Sequence, residues 1–380
     1  MKYIALFSRA TIGIFLVVLT LEFCARVDDY LTYGASPWKP YRWENVEAQD
    51  SIGAYGRPGA SYQKWKINSV GYRGPELRQG TVRIATFGAS ETFGIYEAED
   101  QEYPRQLQRI LNSWSGGNEF EVVNVAMVGQ RVAEAILRIP KTVQQVHPQF
   151  ALLYPAVEHY LWLPTIKQAF DPSLANPSPL LVQVVEPPFE RFEFRTVERV
   201  RNLLKQALPS YMSTWLRQLE IDRFAATHPV MDRVPEANVI LFEKHIALFV
   251  ADLRAAGVRP ILLTHATVFG DVVSESNQYL MTAMRKSYPM LKEEGFLDLE
   301  NRMNDAIRRV ASHDDVLLID AARLMPPGPR YFADGVHFTT EGSSLMASII
   351  ATALEPVIRP QPTHSNSIAQ ESKTVPQEIN

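Results

Sequence analysis

Five short runs rich in Val, Ile and Leu constrain this chain more than any other feature: RIATFG (83–88), EFEVVNVAM (119–127), FALLYP (150–155), RPILLTH (259–265) and DVLLID (315–320). Each is of strand length and apolar nearly throughout, the pattern of a strand covered on both faces. Between them lie stretches with apolar residues at helical spacing, 103–111, 133–146, 237–256 and 299–312. Short apolar strands alternating with helices predict an α/β fold, with a mostly parallel five-stranded sheet between helical layers. Ligands of such sheets sit beyond the carboxyl ends of the strands, so the residues just after each run are where chemistry is sought.

The first thirty residues are a separate problem. Lys2 precedes an apolar stretch over 4–25 that Ser8, Arg9 and Glu22 interrupt. At about 1.5 Å per residue it can cross a hydrocarbon core of about 30 Å if Arg9 snorkels to the headgroups. The cationic end then stays cytoplasmic and the rest of the chain faces the other side. A cleaved signal is the rival, because the strongest run, 12–21, is only of signal-core length. Phe23 before Cys24 fits neither a small-residue cleavage site nor a lipidation signal. A helix buried in a soluble body is the third reading.

Residues 1–29 are thus expected to be an anchor or signal segment, and 30–80, rich in Trp, Tyr, Pro and Gly, a lead-in of short strands and turns. The α/β domain covers 81–358, with an insertion at 161–236 that opens on the Pro-rich DPSLANPSPLLVQVVEPPFE and continues as a helical stretch over 197–219. That insertion reads as a cap over the site or as an outer helix pair. The tail 359–380 has too little apolar content to repay ordering and is expected to be disordered. The net charge of −4 and the lack of a Lys/Arg run exclude a nucleic-acid partner by charge. No phosphate-loop motif, HExxH or Cys pair occurs, so neither cofactor nor metal is expected.

The first run leads straight into GASETFG, which puts Ser90 at a strand end between small residues and the start of a helix expected near Thr92. Ser90 is either a nucleophile or a helix cap, and capping is the more common role of such a turn. Near the other end, RYFADGVHFTTEG holds Asp334 three residues before His337 in a polar loop. An Asp so placed accepts from one imidazole nitrogen and leaves the other to take a proton from a serine. This loop follows the last run and can therefore reach the edge where Ser90 lies. His265 ends the fourth run on that edge as well, and Asp320, which could equally cap the following helix, ends the fifth.

Gly88-Ala89-Ser90 after the first strand, with Asp334-Gly-Val-His337-Phe and Glu341-Gly342 near the C-terminus, resembles the SGNH hydrolases, the GDSL esterase/lipase family. The resemblance spans about 80–357 and implies a flavodoxin-like three-layer sandwich acting on esters and other acyl groups. It implies Ser90 as nucleophile, His337 as general base, Asp334 as its orienting partner, and the Ser90 and Gly129 N–H groups as oxyanion donors. Asn124 is left a supporting role. The third family block departs: LLYPAVEHY puts Ala156 and Glu158 where the family has Gly and an oxyanion-binding Asn. An ionised Glu cannot donate a hydrogen bond, so the hole lacks a donor unless Glu158 is protonated, turns away, or gives way to His159. A surface pair of Glu158 and His159 at a helix start is the alternative.

INSVGYRGPE (67–76) and the membrane segment resemble SGNH proteins associated with bacterial exopolysaccharide modification. The expected protein is a membrane-anchored, extracytoplasmic acyl-ester hydrolase or O-acyltransferase. Its expected partners are an acylated glycan or other ester and, through the first helix, the membrane. The alternative keeps the fold as a non-catalytic glycan-binding or assembly component.

Overall fold

The computed structural model describes residues 2–117, 119–162, 194–207 and 209–358. The Pro-rich start of the insertion and the tail expected to be disordered lie outside them. The chain opens on one long helix, α1 (Lys2–Tyr33). Two small antiparallel ribbons follow, β1 (Glu47–Gln49) with β2 (Ala54–Gly56), and β3 (Ser61–Tyr62) with β4 (Trp65–Lys66).

The main sheet holds β5 (Val82–Gly88), β6 (Phe120–Asn124), β7 (Phe150–Tyr154), β8 (Arg259–Leu263) and β9 (Leu317–Ile319). All four pairings are parallel and the order is β6-β5-β7-β8-β9. Every residue of β6 and β7 is buried. Successive side chains point to opposite faces, so helices must cover both. The order places a topological switch between β5 and β7, which is where a flavodoxin-like sheet opens a crevice.

The further α-helices among the described residues are α2 (Ser90–Phe93), α3 (Tyr103–Ser115), α4 (Val132–Val146), α5 (Arg195–Ala207), α6 (Ser210–Ala225), α7 (Glu236–Ala255), α8 (Gln278–Ser287), α9 (Glu293–His313), α10 (Ala321–Leu324) and α11 (Thr340–Ile358). One group is α3 against α11; another is α7 between α4 and α9. Phe87 of β5 meets Phe249 of α7 edge-on at 5.1 Å between ring centres.

Three boundaries differ from the sequence reading. The helix after β5 begins at Ser90 itself, with Ala89 as its cap residue, and lasts one turn before Gly94 ends it in the left-handed conformation. The helical stretch expected over 197–219 is formed by two helices, α5 and α6, and Pro209, which has no N–H to donate, stands at the cap of the second. The first helix runs on to Tyr33 instead of ending near residue 29. Every residue from Arg9 to Leu21 is exposed, and burial begins at Glu22, Ala25 and Asp29 on a single face.

That face is where α5 docks. The Glu22 carboxylate accepts from the backbone N–H groups of Arg195 (3.1 Å) and Thr196 (3.0 Å), the orphan donors at the start of α5. Asp29 pairs with Arg195 at 3.1 Å and with Arg199 at 2.6 Å. Glu22, which interrupts the apolar stretch in the sequence, therefore serves as a helix cap supplied by another helix. The described part of the insertion is a pair of outer helices, α5 lying against α1 and α6 packing against α8.

Candidate active site

The site is assembled from the carboxyl ends of the strands. Gly88, the last residue of β5, has no room for a side chain: a Cβ there would lie 2.7 Å from the Tyr154 carbonyl oxygen and closer still to Thr92. This close approach lets the chain turn at once into α2 and sets Ser90 at its first position, 8 % exposed.

The loop after α10 folds into a narrow hairpin in which Phe332 bridges Phe338, and Ala333 N–H donates to His337 O at 2.8 Å. Inside it Asp334 Oδ1 accepts from the N–H groups of Val336 (3.0 Å) and His337 (2.9 Å). The carboxylate is thereby fixed before it meets a side chain. His337 Nδ1 lies 2.9 Å from Asp334 Oδ1 and 2.8 Å from Oδ2, and His337 Nε2 lies 2.8 Å from Ser90 Oγ. Two segments 247 residues apart thus meet in one hydrogen-bonded line. The Tyr96 ring stands edge-on to the imidazole at 5.3 Å.

Burial works against charge on both partners of this line, and their mutual contact outweighs it. The Asp334 carboxyl is held below its usual range by the hydrogen bond and charge of His337 and by the two backbone donors. Asp334 and the nearby Glu91 and Glu158 carboxylates hold the His337 imidazolium up to about 9.

Beside Ser90 lies a second group of buried polar side chains. Glu91 is 1 % exposed, Glu158 4 % and His265 1 %. Glu91 Oε2 is 3.5 Å from Ser90 Oγ, and Glu91 Oε1 is 3.8 Å from His265 Nε2. His265 Nδ1 is 2.9 Å from Glu300 Oε2, on α9. Burial opposes its charge, yet Glu300 and Glu91 raise the His265 imidazolium well above its usual range. Glu91 is likewise held below the carboxylate range by the two neighbouring imidazoles despite burial. Glu158 goes the other way: burial first, and then the Glu91 charge, push its carboxyl up towards the neutral form.

The expected residues therefore stand as follows. Ser90, His337 and Asp334 are joined by hydrogen bonds. Gly129 sits in an exposed left-handed turn just after β6, at φ +76°. Glu158 is not a surface residue paired with His159; it is buried in a short 3₁₀ turn after β7, and His159 is partly buried beside it. Asn124 donates to the Thr92 carbonyl at 2.9 Å and so steadies α2. Asp320 is occupied by Thr264 (2.8 Å) and Arg308 (2.9 Å) and stays outside the site. Sequence reasoning passed over Tyr96, Glu91 and Glu300. Of these, only Glu91 lay next to a residue already singled out.

No family model and no curated protein matches the chain. Among solved structures, it is similar to LAE5, an alpha/beta hydrolase enzyme from the metagenome of Lake Arreo, Spain (17 % identity, 72 % of this chain and 94 % of that one, TM-score 0.41). It is also similar to a lipase/acylhydrolase from Enterococcus faecalis (14 %, 73 % and 97 %, 0.42) and to the acetyl xylan esterase AlAXEase (14 %, 72 % and 100 %, 0.43). None of these likenesses assigns an activity to this chain.

Proposed function

We propose that this chain is an SGNH-type serine acyl-ester hydrolase or O-acyltransferase acting on an acylated glycan outside the cytoplasm. The carrying observation is the line from Asp334 through His337 to Ser90, closed by 2.8 Å between His337 Nε2 and Ser90 Oγ. Ser90 Oγ attacks the ester carbonyl while His337 Nε2 takes its proton, and Asp334 holds the imidazolium that forms. The oxyanion accepts hydrogen bonds from the N–H groups of Ser90 and Gly129, each such donor being worth about 3–4 kcal/mol in the transition state. Collapse of the intermediate breaks the ester C–O bond, and His337 returns the proton to the leaving alcohol. Water or a sugar hydroxyl then repeats the cycle on the acyl-enzyme. The glycan follows from the resemblance of INSVGYRGPE and the first helix to exopolysaccharide-associated SGNH proteins.

A burst of p-nitrophenol from p-nitrophenyl acetate, equal to one equivalent of chain, tests the reading. A folded protein that gives neither a burst nor steady release above the uncatalysed rate leaves the non-catalytic glycan-binding alternative in its place.

The pH profile follows from the His337 environment. A general base must be neutral, so kcat/KM should climb with pH until about 9, where the imidazolium loses its proton. Asp334→Asn removes the charge that favours the imidazolium and should move this limb to lower pH, while kcat falls about 10⁴-fold through loss of the correct tautomer. A wild-type limb at an ordinary histidine value would contradict the assignment.

Membrane placement is part of the same proposal. Residues 2–21 span about 30 Å as a helix, the thickness of a hydrocarbon core. Beyond them, α5 is tied to α1 by Glu22 and Asp29. Together α5 and α6 expose Val200, Leu203, Leu204, Tyr211 and Trp215. A helix fixed at the point where a membrane span ends brings these side chains to the headgroup layer, where aromatic and apolar residues are favoured. In vesicles carrying the full chain, brominated lipids should quench a fluorescence component that Trp215→Phe removes. If that component answers only to a water-soluble quencher, α6 faces water.

A further inference from the structure

The buried group beside Ser90 holds three unsatisfied atoms. Glu91 Oε1, Glu158 Oε2 and His265 Nε2 each lack a hydrogen-bond partner among the described residues, and their side chains are buried. One donor atom from each of these residues falls within 4.8 Å of the others. They come from three strand ends, after β5, β7 and β8, so the sheet itself fixes their convergence.

From this we propose that Glu91, Glu158 and His265 bind a divalent first-row transition-metal ion of the zinc class. A single cation would give all three atoms a partner at once, which no hydrogen bond within the described residues does. The surroundings of His265 fit a ligand. Its Nδ1 is held by Glu300 Oε2 at 2.9 Å, the carboxylate–histidine pairing that fixes the ring and turns Nε2 towards a metal. Its backbone is clamped by Asn304, which accepts from His265 N–H at 2.7 Å and donates to His265 O at 2.8 Å. One imidazole nitrogen and two carboxylate oxygens, without a thiolate, form a donor set suited to zinc and its neighbours. Bonds of about 2.0–2.2 Å require these side chains to draw in by about an ångström, within the reach of carboxylate rotamers. Ligands so far apart in sequence form no local motif, which is why the chain reads as metal-free until it is folded.

The proposal is independent of the acyl-transfer reading, since Ser90 is not a ligand. Full-length protein, stripped with a chelator and titrated with zinc chloride against a chromophoric competitor, should take up one equivalent. Glu158→Gln and His265→Gln should each weaken binding at least about 100-fold, and Glu300→Gln about 10- to 100-fold. Ser90→Ala, which removes the nucleophile, should bind zinc as the wild type does. Zinc-edge absorption of the wild-type complex should report one imidazole, oxygen ligands and no sulfur, a readout that needs no variant to fold. Failure to take up zinc at micromolar concentration overturns the proposal. So does a spectrum with several imidazoles, or wild-type affinity in folded Glu158→Gln and His265→Gln proteins. Any of these results leaves protons alone to balance the buried carboxylates.

Discussion

Ser90→Ala is expected to lower kcat/KM for an aryl acetate by about 10⁴-fold or more while leaving the fold intact. The size of the loss comes from what Ser90 does in the proposed cycle: without Oγ there is no acyl-enzyme, and water must attack the ester directly. Residual activity would come from the backbone donors that remain. The side chain is small and 8 % exposed, and its strongest hydrogen bond is to His337. Deleting it should therefore cost little stability. His337→Ala should lose as much activity as Ser90→Ala, and the double variant little more, because residues acting as one unit are not additive. Equal activity in Ser90→Ala and wild type would move the chemistry elsewhere.

The largest expected loss of stability is at Arg73. Its guanidinium is buried, donates to the carbonyls of Phe93 and Gly94, and lies 3.3 Å from the carbonyl oxygens of Glu97 and Ala98. It also lies 3.6 Å from Glu102, both side chains being 2 % exposed, and over the Phe93 ring at 5.1 Å. One side chain from the lead-in thus fastens the end of α2 and the loop that carries Tyr96. Arg73→Ala leaves four carbonyls and a buried carboxylate without their partner. Breaking a buried pair from one side costs about 3–5 kcal/mol, to be read from denaturant unfolding of the purified chain. Arg73→Lys should not restore it, because an ammonium cannot reproduce a planar fork with several donors. A change below about 1 kcal/mol would mean that the lead-in does not hold the site.

What was legible in the sequence follows from periodicity and locality. The five apolar runs predicted the five strands because buried parallel strands leave a continuous apolar signature, and the parallel sheet is found. Asp334 and His337 were legible because their geometry is made within four residues of chain. Pro209 hid a helix break inside a pattern that otherwise reads as helical. Glu22 looked like a flaw in an apolar helix, since its partners stand 173 and 174 residues away. Glu91, His265 and Glu300 converge only through the ends of two strands and α9, which no spacing reports. Arg73 was visible only as part of INSVGYRGPE, and its work on α2 depends on the lead-in folding back over the sheet edge.

In the proposed cycle Ser90 reacts as a nucleophile under the control of His337. The most direct measurement is to expose the intact protein to a fluorophosphonate and map the adduct by mass spectrometry as a function of pH. A single adduct on the peptide carrying Ser90, formed faster as pH rises towards about 9, is the predicted result. Folded protein that stays unmodified across that range, or an adduct on another residue with Ser90 untouched, would contradict it.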